Sequence, residues 1–181
     1  MSDPEEKLPA RLNRTVIYES PWVNLYRDRV ALPNGNIIEA YHLLDFGPGA
    51  VAVVVENDEK QILMERNARY PTGIFSWEIP AGGIEGGESF LEAARREVFE
   101  ETGYETHGHR HIYTFHPMNG ISNMVVHVVH CQAGCLAGKP DGDEVQSVHW
   151  LSAGELLEMI RRNEIMDGFT IAGFLLYLNQ L

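Results

Sequence analysis

The sequence predicts a mixed α/β fold whose strands pair mostly antiparallel or in a mixed sheet. Apolar and β-branched runs of strand length recur from Thr15 to Leu151, the signature of buried or half-buried strands. Successive runs in the first half lie closer together than the roughly dozen residues that a helical crossover needs, which favours antiparallel neighbours. Only three segments carry a helical repeat, beginning near Ser89, Ala153 and Phe169.

Residues 1–13 are charged and contain Pro4 and Pro9, so a flexible N-terminus is expected there. Residues 14–47 read as a small antiparallel β-region made of Thr15 to Tyr18, Trp22 to Leu32 and Ile37 to Leu44. Pro33-Asn34-Gly35 separates the last two runs, and Asn-Gly between apolar runs is a hairpin signal. Gly47-Pro48-Gly49 then breaks the pattern and marks the expected joint to a main domain over residues 48–181.

That domain opens with the almost wholly apolar run Ala50 to Val55, a buried strand, and Gln61 to Glu65 returns after the polar turn Glu56 to Lys60. Trp77-Glu78-Ile79-Pro80 ends an extended piece, because a proline biases the residue before it away from helix. Ser89 with Glu92 forms a capping-box signature, Leu91, Ala94 and Val98 recur at helical spacing as an apolar stripe, and Gly103 supplies a stop. Beyond it, Met124 to His130 and Val145 to Leu151 read as strands, with His127 and His130 taken as structural. Ala153 to Arg162 reads as an amphipathic helix and Phe169 to Leu178 as a more apolar one.

With 181 residues and 44% hydrophobic positions, the chain can bury one substantial core. Its formal charge of -12 argues against a broad nucleic-acid surface, which needs clustered Lys and Arg. An anionic substrate would instead rely on a few arginines or a metal. No run approaches the roughly 20 apolar residues of a membrane span, and Met1 to Lys7 is acidic and polar, unlike a signal peptide. A soluble, cytoplasmic protein with no membrane partner is therefore expected. Cys131 and Cys135 lack the second Cys or His pair that a structural zinc site requires, and no chemistry is assigned to them.

The chemistry concentrates in Gly82 to Glu88 and in the following segment, Arg95 to Gly103. At about 100° per residue, Glu97, Glu100 and Glu101 fall within roughly one quadrant of a helix. Three like charges in one patch repel unless a hard cation sits among them, and oxygen-only ligation with retained water is what Mg²⁺ prefers. Acidic residues on a helix are more often a solvated face. Here the glycine framework before the helix, and the placement of Arg96 and Glu88 to brace loop against helix, favour a site.

This arrangement resembles the Nudix hydrolase box, G-x5-E-x7-R-E-U-x-E-E-x-G-U with U a bulky apolar residue. Gly82, Glu88, Arg96, Glu97, Val98, Glu100, Glu101 and Gly103 match every fixed position, and Tyr104 stands where an aliphatic residue is usual. The resemblance implies a Nudix-type α/β/α sandwich around a mixed β-sheet from about Pro48 onward. It implies Glu97 and Glu101 as main metal ligands, Glu100 contributing directly or through water, and the Ala81 carbonyl as a further ligand. Mg²⁺ is the expected ion, with Mn²⁺ as the alternative, and Glu88 and Arg96 would be structural.

Within that family the chain looks like the ADP-ribose and nucleoside-diphosphate-sugar pyrophosphatases. The resemblance rests on Trp77 to Gly82, on Arg66-Asn67-Ala68-Arg69-Tyr70-Pro71, and on the β-rich N-terminal region that such enzymes use to form homodimers. It implies water attack on a diphosphate to release a nucleoside monophosphate and a sugar phosphate. Arg69 and Arg66 would grip the phosphates, with Glu78 and Trp77 also in the substrate site and Tyr70 as a second aromatic that can stack on a base. The general base would come from the loop Asp141-Gly142-Asp143-Glu144, with Glu144 the first choice ahead of Asp143 and Asp141. Pro117 falls near the proline that accompanies ADP-ribose specificity, whereas Met118 to Asn123 departs from the usual acid-containing loop and leaves sugar and base open. The alternatives are a hydrolase of dinucleotide polyphosphates or capped RNA, and a domain that only senses a nucleotide. Retention of every box carboxylate weighs against the sensor, and the acidic composition weighs against long RNA.

Overall fold

The computed structural model describes residues 7–140 and 145–180. The chain divides into two compact units, one built from the chain up to Gly47 with Met118–Met124, the other from Pro48–Pro117 and Val125–Leu181.

The first unit is a three-stranded antiparallel sheet, β1 (Ala10–Tyr18), β2 (Asn24–Ala31) and β3 (Ile37–Asp45), in that order. Residues 10–13, expected to belong to the flexible lead, are thus part of β1: Arg11 and Asn13 pair with Val30 and Arg29, and those backbone bonds outweigh the polar composition. Gly35 turns the hairpin with φ 88°, a left-handed angle that glycine adopts without steric cost. Inside the sheet the buried Asp28 takes both arms of the Arg14 guanidinium at 2.8 and 2.7 Å, and Arg14 also lies 4.1 Å over the Tyr26 ring. The segment Met118–Met124 joins this unit through the Leu44 N–H to the Ile121 carbonyl (2.8 Å) and Asn123 to Asp45 (2.6 Å).

The second unit is an α/β/α sandwich. Its sheet runs β10 (Val145–Ser152), β5 (Gln61–Arg69), β4 (Ala50–Glu56), β9 (Val126–Leu136), β8 (Tyr104–Phe115), with β6 (Ile74–Glu78) on β5 and β7 (Ala81–Gly83) on β4. Among the described strands of this sheet only β4 and β9 pair parallel and the other pairs are antiparallel, so the mixed sheet matches the expected class. All of β4 is buried, because both faces of the sheet are covered, and each buried valine contributes roughly 1.5–3 kcal/mol. Val51, Val53 and Val55 pack with Leu63, Val129 and Cys131 against Ala93, Ala94 and Val98 of α1 (Phe90–Thr102). On the opposite face α3 (Gly168–Leu178) packs closely enough for Gly173 to approach Ile79, Val128 and Val54. A third helix, α2 (Ala153–Arg161), follows β10 directly, starting at a Ser152–Glu155 capping box. Among the described residues no helix is long and apolar enough to cross a membrane.

Two further expectations change. Leu91 is 36% exposed and Ala93 takes its place in the buried face of α1, because the helix is rotated to bring Glu97 and Glu101 toward the sheet. The twelve-residue strand β8 follows Gly103, where the sequence offers no apolar run: it is an edge strand of mostly exposed residues, broken by three register shifts against β9. Cys131 is buried and Cys135 exposed on β9, both as free thiols.

The turn from α1 into β8 depends on Gly103. Its φ is 77°, its N–H closes the helix on the Phe99 carbonyl at 2.8 Å, and an added Cβ would stand 2.6 Å from the Gly138 carbonyl oxygen. Gly103→Ala is therefore expected to destabilise the fold by about 2 kcal/mol, read as a lower denaturant midpoint with an unchanged slope.

Candidate active site

The loop between β7 and α1 and the first three turns of α1 are one hydrogen-bonded piece. Ser89 caps the helix, its hydroxyl accepting from the Glu92 N–H while the Glu92 carboxylate accepts from the Ser89 N–H at 2.7 Å. Arg96 reaches back from the helix to the loop: it donates to Glu88 at 2.6 and 3.2 Å and to the Gly83 carbonyl at 2.9 Å. The same guanidinium holds Glu97 at 2.9 Å and Glu100 at 3.1 Å. Glu88 meanwhile accepts from the Glu85 N–H at 2.8 Å, so the brace expected from Arg96 and Glu88 is present with both ends satisfied.

The three helical glutamates differ in burial, although Arg96 bridges Glu97 and Glu100. Glu97 and Glu101 turn toward the sheet, and the Glu97 side chain is only 12% exposed, whereas Glu100 is 54% exposed and pairs with Arg96. Glu101 accepts from the Ala81 N–H at 3.0 Å, which fixes it against β7. Gly82 lies so close to Glu97 that a Cβ there would overlap the carboxylate. The glycine is thus the space in which Glu97 sits.

β5 and β6 supply the opposing wall. Alternation along β5 puts Glu65, Asn67 and Arg69 on one face, and their partners in β6 include Glu78 opposite Glu65 and Ser76 opposite Asn67. Arg69 forks onto Glu78, its Nε at 3.0 and 3.1 Å and a terminal nitrogen at 2.5 Å. Burial alone would push the Glu78 carboxyl up, but the Arg69 hydrogen bonds and charge hold it below the usual range. Glu65 and Glu101 are pushed the other way, by burial first; Glu65 is raised further by Glu78 and Glu97, and Glu101 by Glu65 and Glu97. Glu97 is also raised, by burial against the pull of Arg96.

The predicted substrate residues divide between the faces. Arg66 and Trp77 are cross-strand partners pointing away from Glu65 and Glu78; Arg66 lies 5.2 Å over the Trp77 ring, donates to the Phe75 carbonyl at 2.6 Å, and Trp77 meets His149 edge-on at 5.0 Å. Tyr70 is 97% exposed. Glu144, Asp143 and Asp141 lie outside the described residues. Glu65 and Asn67 were missed in the sequence, although Glu65 directly follows the buried run Ile62-Leu63-Met64, an acid where an apolar residue would continue the strand.

The glycine loop is thus braced to a helix that turns Glu97 and Glu101 toward a strand, and comparison with known proteins gives the family. The NUDIX domain family matches residues 47–170, and the nucleoside diphosphate sugar hydrolase N-terminal domain matches residues 11–44. The chain belongs to the Nudix hydrolase family. An ADP-ribose pyrophosphatase of Bacillus subtilis is 32% identical over 173 residues, covering 94% of this chain and 91% of that protein. A CMP-5'-(N-acetyl-N-hydroxy-3-aminopropyl)phosphonate hydrolase of Streptomyces rubellomurinus is 30% identical over 164 residues, covering 90% and 79%. The solved structure of an ADP compounds hydrolase superposes with a TM-score of 0.84 at 18% identity over 97% of this chain and 95% of that one, and shows the shared fold.

Nudix hydrolases use divalent cations. Among the described residues no three acidic, histidine or cysteine side chains already stand as a closed metal-binding group, because Arg96 draws Glu97 and the Ala81 N–H draws Glu101. The donor chemistry nevertheless suits a hard, hydrated cation. The site is oxygen-only, its buried carboxylates repel one another, and Glu65 Oε1 and Asn67 Oδ1 are buried acceptors without a hydrogen-bond partner. In this Nudix enzyme Gly82→Ala should displace Glu97 and weaken Mn²⁺ binding by roughly 10-fold or more, measured by calorimetry, while circular dichroism remains that of the parent.

Proposed function

We propose that this Nudix enzyme hydrolyses the diphosphate linkage of a nucleoside diphosphate sugar, of the ADP-ribose or GDP-mannose kind, with Mg²⁺, Mn²⁺ being the alternative ion. The observation that carries the substrate class is the match of residues 11–44 to the nucleoside diphosphate sugar hydrolase N-terminal domain, adjoining the Nudix match. The named activities of the two relatives support it, since both are nucleotide hydrolases. Glu97 and Glu101, with the Ala81 carbonyl, would hold the cation, and Glu100 would contribute from the exposed side.

When bound, the cation neutralises phosphoryl oxygens and lowers the pKa of a coordinated water. The chain's own residues then have separable roles. Arg69, oriented by its fork onto Glu78, presents a guanidinium edge of the kind that recognises a phosphate bidentately. Arg96 keeps Glu97 in place and would release part of its grip as a cation competes for that carboxylate. Glu144, ahead of Asp143 and Asp141, is the proposed general base for the attacking water. Arg66 and Trp77 face the other side of the sheet and are given no part in holding the diphosphate.

A panel of nucleotide sugars, dinucleotide polyphosphates and capped RNA, assayed with Mg²⁺ for nucleoside monophosphate release, tests the reading. Nucleotide sugars should be turned over fastest, and Glu97→Gln and Glu101→Gln should each reduce kcat by about 100-fold or more. Binding without turnover by the parent enzyme would favour a nucleotide sensor instead.

The N-terminal sheet is proposed as the homodimer interface of a cytoplasmic enzyme. Leu12, Val16, Tyr18 and Trp22 are 49, 51, 57 and 85% exposed on and beside β1, and an apolar edge strand that pairs on one side only among the described residues invites pairing with a second copy. Sedimentation equilibrium should give a dimer for the parent chain and a monomer for Val16→Glu with Trp22→Glu.

A further inference from the structure

Among the described residues the acids of this site, all but Glu100 buried or half-buried, outnumber the cations that pair with them. Glu65, Glu78, Glu88, Glu97, Glu100 and Glu101 are served by two guanidinium groups, Arg69 forked onto Glu78 and Arg96 spread over Glu88, Glu97 and Glu100. Glu65 fares worst. It is fully buried, its Oε2 accepts from the Asn67 amide at 3.1 Å, and among the described residues its Oε1 has no partner.

Asn67 faces the same problem with its orientation fixed. Its Nδ2 donates to Glu65 Oε2 and, at 3.4 Å, to Glu78 Oε2, so turning the amide over would set Oδ1 against two carboxylates. Oδ1 must therefore remain an acceptor, and it too is buried without a donor. Two acceptors two residues apart on one face of β5 thus lack hydrogen donors, in a region with surplus negative charge. Buried acceptors left in this way are costly and rare. A donor that serves both acceptors and also offsets the surplus negative charge combines positive charge with several O–H groups. A divalent cation that keeps part of its water does so, because each retained water offers protons outward.

We propose that Glu65, with Asn67, is an outer-sphere anchor for the hydrated cation: a positioning residue that accepts hydrogen bonds from metal-bound water and does not touch the metal. It lies on β5, outside the box motif, and was not among the residues the motif assigns. The proposal rests on the metal-dependent reading above and extends it to the wall facing α1. Groups that act at one remove from a metal commonly change its affinity by roughly 10- to 100-fold when removed.

The test titrates the full chain with Mn²⁺, followed by electron paramagnetic resonance of the free ion, and with hexaamminecobalt(III), whose ligands do not exchange and which therefore binds only through outer-sphere hydrogen bonds. The parent should bind both, in competition. Glu65→Gln, nearly equal in volume, should weaken both by roughly 10-fold or more. Glu65→Asp keeps the charge, retracts the acceptor and should weaken hexaamminecobalt in the same direction; it also serves if the Gln variant does not fold. Parent-like affinity for both probes in Glu65→Gln would overturn the proposal, as would parent-like hexaamminecobalt binding in Glu65→Asp, since charge alone would then suffice. If Glu101→Gln abolishes Mn²⁺ binding while Glu65→Gln is silent, only the anchor fails. A parent chain that neither binds Mn²⁺ nor hydrolyses any nucleotide overturns the metal-dependent reading and the anchor with it.

Discussion

The site depends on one guanidinium. Arg96 is the point at which the glycine loop, the loop acid and two helical acids meet, and each of its contacts has a different consequence. The bonds to Glu88 and the Gly83 carbonyl tie the loop to the helix, so Gly82 is held where Glu97 needs room. The bonds to Glu97 and Glu100 offset part of the repulsion that would otherwise splay the helical acids. A lysine would keep the charge and lose the fork, since one ammonium cannot satisfy a bidentate carboxylate, a carbonyl and two further acids at fixed angles.

What the sequence could disclose follows from the range of the forces involved. The α1 boundaries were legible because they are local: Ser89, Glu92 and Gly103 act on backbone groups within a few residues, and the structure shows the capping box and left-handed cap. The hairpin at Gly35 and the buried strand β4 were legible for the same reason. β8 was not, since an edge strand paired on one side needs little apolar surface, and its hydrogen bonds come from β9 more than ten residues away in the chain. The helical trio was grouped by angle alone, which cannot say which way the helix is rotated; packing of Ala93, Ala94 and Val98 turns Glu97 and Glu101 inward and leaves Glu100 outside.

Strand parity accounts for the rest of what the motif could not supply. In the run Glu65-Arg66-Asn67-Ala68-Arg69 adjacent residues face opposite sides of the sheet, so a motif read as one block of letters feeds two surfaces. Glu65, Asn67 and Arg69 reach the acid site, while Arg66 joins Trp77, Phe75 and His149 on the other face. Of the two arginines in the motif, Arg69 is the one that stands on the acid face, forked onto Glu78, which itself is opposite Glu65.

Glu78 and Glu65 show why two buried acids on one wall behave differently. Both are nearly inaccessible and both are penalised by burial, yet Arg69 hydrogen-bonds Glu78 and holds its carboxyl below the usual range, while Glu65 has a neutral amide as its hydrogen-bond partner and feels Arg69 only through its charge. A carboxylate paired with a guanidinium is settled without any ligand. One facing an amide and two further acids keeps an oxygen that no described residue satisfies. Stability alone would favour an apolar residue at position 65, continuing Ile62-Leu63-Met64. An acid there makes sense where a cation, arriving with its water, completes what folding leaves open.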